Sequence, residues 1–241
     1  MQSAAIAVQT ASLIVSLSAC VGVYGADHAV PLHPALEKYI AARTTEFALI
    51  PGERKEQLAQ IAQFVSTRTK SRQPVKLTFI CTHNSRRSHL AQIWAQVAAI
   101  HFGLPEVHTF SGGAEVTAFN PRAIAALRRA GFDISNPEPS AAGNPHYQVR
   151  YHSVAPPLEC FSKTYSDSSN PDRDFCAVMV CSQADGACPL VPGSALRLAI
   201  PYDDPKAFDD TPAEAEKYDE RSQQIAREML YIFSKAKEQL E

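Results

Sequence analysis

The stretch that most constrains this chain is residues 75–89, VKLTFI followed by CTHNSRRSH. Val75, Leu77, Phe79 and Ile80 read as an apolar strand that runs straight into Cys81. After five intervening residues, Arg87 and Ser88 open a helical pattern through Leu90, Ile93, Trp94 and Val97. A strand, a short loop and a helix in that order gather backbone N–H groups and the positive end of a helix at one point, which suits a tetrahedral oxyanion. Arg87 can add a two-pronged hydrogen bond to two of its oxygens. The same field favours a thiolate, so Cys81 is expected to be ionised near neutral pH and to attack the anion. Asn84 fits the loop, since asparagine tolerates left-handed backbone and its side chain can tie a tight turn. The bland alternative is a buried strand-end cysteine beside a solvated basic pair, Arg86 and Arg87.

Downstream, strand and helix alternate. Gly103 ends the first helix, and Val107, Thr109 and Phe110 form a second strand closed by Ser111-Gly112-Gly113. Asn120-Pro121 starts a helix, with Asn as cap and Pro at the first helical position, and Gly131 stops it. Residues 175–181, FCAVMVC, are a continuous apolar run, as expected of a parallel strand covered on both faces. ALRLAIPY at 195–202 is another strand, and Thr211-Pro212-Ala213-Glu214 predicts a capping box for a last helix carrying Tyr218, Ile225, Met229, Ile232 and Phe233 on one face. Alternating elements of this kind imply a parallel sheet with helices on both sides. Ligands in such folds sit beyond the carboxyl ends of the strands, where Cys81 falls.

The segment CTHNSRRS resembles the oxyanion loop of the low-molecular-weight protein tyrosine phosphatases and of the thioredoxin-coupled arsenate reductases that share their fold. The likeness runs over roughly residues 74–236. It implies an α/β three-layer domain around a central parallel four-stranded sheet, with Thr82, His83, Asn84, Ser85, Arg86, Arg87 and Ser88 wrapping the oxyanion. Two positions depart from the family pattern. His83 stands where the family usually has glycine, and histidine visits positive φ more readily than most residues, so the loop can still close. Arg86 stands where a second cysteine is usual, which removes the partner for an intraloop disulfide.

A second cluster begins where the buried strand ends. Cys181 and Cys188 lie seven positions apart across a Gly-containing loop, and Pro189 follows. This resembles the redox pair of the thioredoxin-coupled arsenate reductases. The resemblance implies that Cys81 attacks arsenate, Cys181 attacks the adduct, and Cys188 draws Cys181 into a disulfide for a thioredoxin-like reductant, all by thiol–disulfide exchange. Two unrelated loop thiols are the plain alternative. A zinc site from Cys160, Cys176, Cys181 and Cys188 lacks a close Cys-x-x-Cys pair, so no metal and no cofactor is expected. Cys160 and Cys176 read as packed thiols. At Tyr202-Asp203-Asp204-Pro205 the family places an Asp before Pro that protonates the leaving oxygen, and Asp204 takes that position here. A carboxylic acid suits that role where its surroundings raise its pKa.

The remaining segments divide the chain. Residues 1–26 carry no charged side chain and resemble the apolar part of an export signal or an envelope anchor. Leu17-Ser18-Ala19-Cys20 also resembles a lipoprotein signal box; a cytoplasmic enzyme with an uncharged tail is the alternative. Residues 27–73 form a helical extension, with Leu36, Tyr39 and Ile40, then Leu58, Ile61, Ala62 and Val65, at helical spacing around a break at Pro51-Gly52. Residues 74–241 form the phosphatase-like domain, with a Pro-, Ser-, Asn- and Gly-rich insertion at 136–174. A stretch that long is a candidate wall or lid over the site, and Tyr147, Val149 and Tyr151 alternate like a short edge strand. With 241 residues and 45% hydrophobic content, the chain can bury one sizeable core. Its net charge of −2 gives no reason to expect nucleic acid or an acidic membrane as partner. The expected partners are a small oxyanion, arsenate or a phosphate ester, and a thioredoxin-like reductant, acting on a monomer. The competing functions are hydrolysis of a phosphomonoester by Cys81, Arg87 and Asp204 alone, and a non-catalytic oxyanion- or partner-binding module.

Overall fold

Two helices precede the sheet in this computed structural model, which describes residues 31–135, 143–154, 156–188 and 190–241. The signal-like segment with Cys20, residues 136–142 of the insertion, and Pro189 lie outside the described residues. Helices α1 (Pro34–Thr44) and α2 (Gly52–Lys70) turn Leu36, Ile40, Leu58, Ile61 and Val65 inward, as their spacing predicts. They do not form a separate layer, because those side chains join the same apolar cluster as the sheet. Tyr39 stacks on Trp94 with ring centroids 5.2 Å apart. Each large apolar side chain buried this way contributes about 1.5–3 kcal/mol.

Strand β1 (Val75–Cys81) leads through the oxyanion loop into α3 (Arg87–His101), and β2 (Val107–Gly113) follows. The glycines expected to close β2 are inside it. A Cβ on Gly112 would lie 2.3 Å from the Cα of Tyr165, so only glycine lets that chain pass across the strand. Helix α4 (Pro121–Ala130) begins as predicted, with the Asn120 side chain accepting from Arg122 N at 2.9 Å, and Gly131 ends it at φ +109°.

The insertion is ordered where it is described. Strands β3 (Asp133–Ile134), β4 (Tyr147–Arg150) and β5 (Leu158–Cys160) pair in that order in a small antiparallel sheet. The segment expected to be an edge strand is thus the central one, because its alternation reflects burial of Val149 between two partners. Strand β6 (Phe175–Met179) is buried along its whole length, helix α5 (Ser182–Ala187) follows, and β7 (Ser194–Ala199) stops three residues short of the predicted end. Backbone bonds to the end of β6 continue past it, from Ile200 N to Met179 O and from Tyr202 N to Val180 O, before the chain makes a single 3-10 turn at 205–208.

The main sheet is all parallel, in the order β2-β1-β6-β7, with helices on either side. Helix α6 (Glu214–Glu238) closes the domain and buries Tyr218, Ile225, Met229, Ile232 and Phe233. The predicted capping box does not form. The Glu214 carboxylate accepts instead from Arg122 Nε at 2.6 Å and from Asp210 N at 2.7 Å, so the helix starts at Glu214 with no side-chain cap. Among the described residues no helix is long and apolar enough to cross a membrane.

His89, on the first turn of α3, is fully buried and stacks on Phe119 at 4.1 Å. Burial, aided by the nearby Lys163 cation, pushes its imidazole down to about 3. The folded protein therefore holds it neutral, while the unfolded chain protonates it near 6.5. This part of the stability is present above pH 6.5 and is lost as pH falls toward 3. Thermal unfolding of the protein and of His89→Gln between pH 7 and pH 4 should show the shallower loss in the variant. Equal slopes would show that His89 does not titrate on unfolding.

Candidate active site

Register builds the site. β1 runs between β2 and β6, so Cys81 pairs with Gly113 on one side, and the Ile80–Met179 pair on the other brings Cys181 level with Thr82. Thr82 Oγ1 lies 3.5 Å from Cys181 Sγ. The two cysteines predicted to work in succession, a hundred residues apart in the chain, thus end adjacent strands at the carboxyl edge of the sheet.

The loop closes on Asn84 and not on His83. Asn84 has φ +43° and is fully buried, whereas His83 is not among the residues with positive φ. Asparagine wins this position because its side chain replaces the contacts that the turn gives up. Its Nδ2 donates to Ser88 Oγ at 2.9 Å, and its Oδ1 accepts from Lys163 N at 2.8 Å. The His83 carbonyl is fixed separately, accepting from Thr117 Oγ1 at 2.9 Å and Ser162 Oγ at 3.1 Å. Its ring lies at the surface, with Nε2 3.6 Å from Glu115. The insertion therefore clamps the loop at two points through Ser162 and Lys163, the job that an intraloop disulfide cannot do here.

Ser88 Oγ is 3.1 Å from Cys81 Sγ, and both atoms are buried. Since Ser88 already accepts from Asn84, its own proton is free to point at the sulfur, which is the partner an anionic sulfur requires. Arg87 donates from one terminal nitrogen to the Tyr202 carbonyl at 3.0 Å and from the other to Asp204 Oδ2 at 2.7 Å. Its Nε is buried without a partner. Of five guanidinium hydrogens, two hold the Asp204 segment, so a two-pronged grip on an anion remains open to the others. Asp204 also accepts from Lys206 N at 3.1 Å. Asp203 points the other way, 95% exposed and 3.4 Å from Arg221, which leaves Asp204 as the carboxylate facing the loop.

Arg86 departs from its expected part in anion binding. Its Nε donates to the Tyr218 hydroxyl at 2.8 Å, and a terminal nitrogen lies 3.4 Å from Asp209. Tyr218 in turn donates to Asp209 at 2.7 Å. With its charge drawn into that cluster, the Arg86 side chain anchors the loop to α6, leaving only its backbone for an anion. Above the loop is a cleft of about 650 Å³ lined by His83, Arg87, Gln183, Tyr202, Asp204 and Lys206, among others.

No protein-family model matches the chain. An arsenate reductase of Staphylococcus aureus is 31% identical over 128 residues, covering 53% of this chain and 76% of that protein. An arsenate reductase of Staphylococcus epidermidis is 30% identical over 127 residues, with the same coverage. The chain belongs to the arsenate reductase family. An arsenate reductase of Bacillus licheniformis, 28% identical over 163 residues, spans 66% of this chain and 95% of its own. A low-molecular-weight phosphotyrosine phosphatase from Vibrio cholerae overlaps with a TM-score of 0.44 at 16% identity, covering 66% of this chain and 95% of that one, too loosely to add weight. This arsenate reductase relative is a cysteine-dependent enzyme of the reductase and phosphatase class.

Within this family member, Cys181 is fully buried and caps α5, its sulfur accepting from Ala184 N at 3.3 Å. Cys188, partly exposed, follows the last turn of the same helix. Cys160 and Cys176 sit on different sheets, β5 and β6, and burial pushes both thiols up to about 12, as suits packing and not reaction. Among the described residues no group of three or more potential metal ligands is assembled. Sequence reasoning missed Thr117, Ser162 and Lys163, because nothing in an irregular stretch marks which of its polar groups will meet a loop 34 or 79 residues away.

Asn84→Ala should be the most damaging single change to the loop short of its cysteine. It strands the buried Lys163 N–H and leaves a Cβ-bearing residue in left-handed backbone without compensation, together roughly 2–4 kcal/mol. Asn84→Gly should recover about 1 kcal/mol of that loss by removing the backbone strain. Urea denaturation of the three proteins checks both the size and the order.

Proposed function

We propose that this protein reduces arsenate to arsenite through Cys81, Cys181 and Cys188, with a thioredoxin-like dithiol as final reductant. The observation that carries this reading is Cys181 Sγ beside Thr82 of the oxyanion loop, at the head of a short helix that ends at Cys188. Hydrolysis of a phosphoenzyme uses neither thiol.

The Cys81 thiolate attacks arsenic held by the loop and Arg87, and an oxygen leaves as water with a proton from Asp204. The Cys181 thiolate then attacks the Cys81 sulfur. The electron pair of the S–As bond passes to arsenic, arsenite leaves, and a Cys81–Cys181 disulfide remains. Cys188 attacks Cys181 and frees Cys81 as a thiolate. The external dithiol reduces the Cys181–Cys188 disulfide and returns the two electrons.

Helix α5 has to unwind for the third step. Seven residues of helical rise separate the two cysteines by about 10 Å, beyond the roughly 4.4–6.8 Å between Cα atoms that a disulfide spans. Ala184 is the sole buried residue of the helix, so the hold on it is chiefly Arg197. That side chain donates to the carbonyls of Asp185 at 2.9 Å and Cys188 at 3.1 Å and to the Asp185 carboxylate at 2.6 Å, and it must let go for the change. Gly186 has nothing within 4 Å of where its Cβ would be.

The cleft suits a small oxyanion, since Arg87 and Lys206 line it, while Tyr202 is 4% exposed with its ring held under Arg54. Phosphomonoester hydrolysis by Cys81, Arg87 and Asp204 is the alternative reading. For residues 1–26 we propose export or envelope anchoring, which requires a reductant outside the cytoplasm; mass spectrometry of the native N-terminus tests it.

Arsenate-dependent NADPH oxidation, coupled through thioredoxin and its reductase, is to be measured beside hydrolysis of an aryl phosphate. Cys81→Ser should abolish both activities. Cys181→Ser should lose reduction by at least about a hundredfold while sparing any hydrolysis. Cys188→Ser should complete one turnover and stop. Sustained thioredoxin-linked turnover by Cys181→Ser would falsify the relay.

A further inference from the structure

The helical extension at 27–73 lies outside the part of the chain that resembles the phosphatases, yet one of its side chains reaches the segment that carries Asp204. Arg54, in the first turn of α2, donates from Nε to Glu228 Oε2 at 2.8 Å. A terminal nitrogen donates to the carbonyls of Ile200 at 3.1 Å and Pro201 at 3.3 Å. Its guanidinium also lies over the Tyr202 ring, 4.8 Å from the centroid. Glu228, on α6, accepts a second hydrogen bond on the same oxygen from the Tyr202 hydroxyl at 2.8 Å, and Gln224 donates to the other oxygen at 3.2 Å. Both charged side chains are largely out of water, at 13% and 3% exposure.

Three consecutive residues, 200, 201 and 202, are therefore held by one guanidinium and its carboxylate. They form the stretch between the end of β7 and the 3-10 turn that Asp204 caps. The last of them, Tyr202, uses its carbonyl to accept from Arg87. Backbone bonds from Ile200 N to Met179 O at 2.9 Å and from Tyr202 N to Val180 O at 3.1 Å tie that stretch to the end of β6. Arg54 adds a second hold, through the carbonyls of Ile200 and Pro201 and the ring of Tyr202. A planar fork with five donors on three nitrogens meets the carboxylate and the two carbonyls from different nitrogens, a spread that a single ammonium nitrogen does not reproduce.

The geometry points to Arg54 as a positioning residue that sets the height of Asp204 above Cys81 and so governs proton delivery to the leaving oxygen. This rests on the reading of Cys81 as nucleophile and Asp204 as acid. It gives the extension a part in the reaction: α1 and α2 bury apolar surface, and α2 also braces the acid. Arg54 touches no reacting atom and acts through Tyr202 and Asp204.

The test is steady-state arsenate reduction by the full chain, its Arg54→Ala, Arg54→Lys and Asp204→Asn variants, and the double variant Arg54→Ala/Asp204→Asn. Asp204→Asn should lower kcat by about a hundredfold. Arg54→Ala should lower kcat by about tenfold or more with the KM for arsenate within about threefold, because a misplaced acid costs rate and not anion binding. Arg54→Lys keeps a charge against Glu228 and should unfold within a few degrees of the parent, yet still lose several-fold in kcat, a split that a purely structural role does not produce. In the double variant the Arg54 change should add nothing to the loss from Asp204→Asn, since the two act in one path. Unchanged kcat in folded Arg54→Lys, or fully additive losses in the double variant, would overturn the inference while leaving the active-site reading intact. Full turnover by Asp204→Asn, or none by the parent protein, would remove that reading and this inference with it.

Discussion

Closure of the loop after Cys81 is the constraint on which the rest of the site depends, and it is met by one buried asparagine. A chain that leaves a strand, circles an anion and enters a helix within six residues has to turn left-handed somewhere. Asn84 takes that turn at φ +43° and spends both ends of its amide on holding it, one on Ser88 and one on the insertion. Ser88 is thereby set against the Cys81 sulfur. The same residue thus shapes the loop and orients the hydroxyl that faces the Cys81 sulfur. Family members that keep a second loop cysteine have a disulfide available at this place. Here Arg86 occupies it and is drawn into the Tyr218–Asp209 cluster, fastening the loop to the last helix.

Around that loop the fold supplies braces from three sides. The insertion holds it through Ser162 and Lys163. Helix α6 holds it through Tyr218. The Arg87–Asp204 pair, itself backed by Tyr202, Glu228 and Arg54, ties it to the end of β7. Charged pairs at a surface contribute little, but those here are partly or wholly out of water and joined by hydrogen bonds to backbone, where geometry is enforced more strongly. This bracing stands beside an α5 that buries only Ala184 and is held chiefly by Arg197, a division that suits the proposed relay. Oxyanion chemistry needs fixed donors, and thiol exchange over about 10 Å needs a segment that gives way.

Much of this was legible in local sequence. The β1–loop–α3 junction, the Asn120-Pro121 helix start and the buried FCAVMVC strand each follow from patterns a few residues long, and each is observed. Asn84 was legible as a turn-former, and Asp204 as the aspartate before proline. The misreadings share a cause. The Thr211 capping box failed because Glu214 found Arg122, 92 residues away, and the Gly112–Gly113 pair proved to be strand because Tyr165 crosses it. His83 was credited with the left-handed position because a comparison of loops points there, while the hydrogen bonds that decide it come from Ser162 and Lys163. A local pattern reports what a segment prefers when nothing distant competes for its polar groups.

By itself, then, the sequence determined that a cysteine ends a strand beside an anion-binding helix start in a parallel α/β domain. It also determined that a second cysteine and an Asp-Pro follow later strands, with a third cysteine seven positions beyond the second. These are consequences of hydrophobic period, turn residues and the order of elements, all short-range. Only the tertiary structure decided that Cys181 lies level with Thr82, that Asp204 and not Asp203 faces Arg87, and that a helix outside the family core grips the strand end behind them. Those outcomes depend on sheet register and on which buried donor meets which acceptor. Such pairings join residues up to 174 positions apart in the chain, and no local preference encodes them.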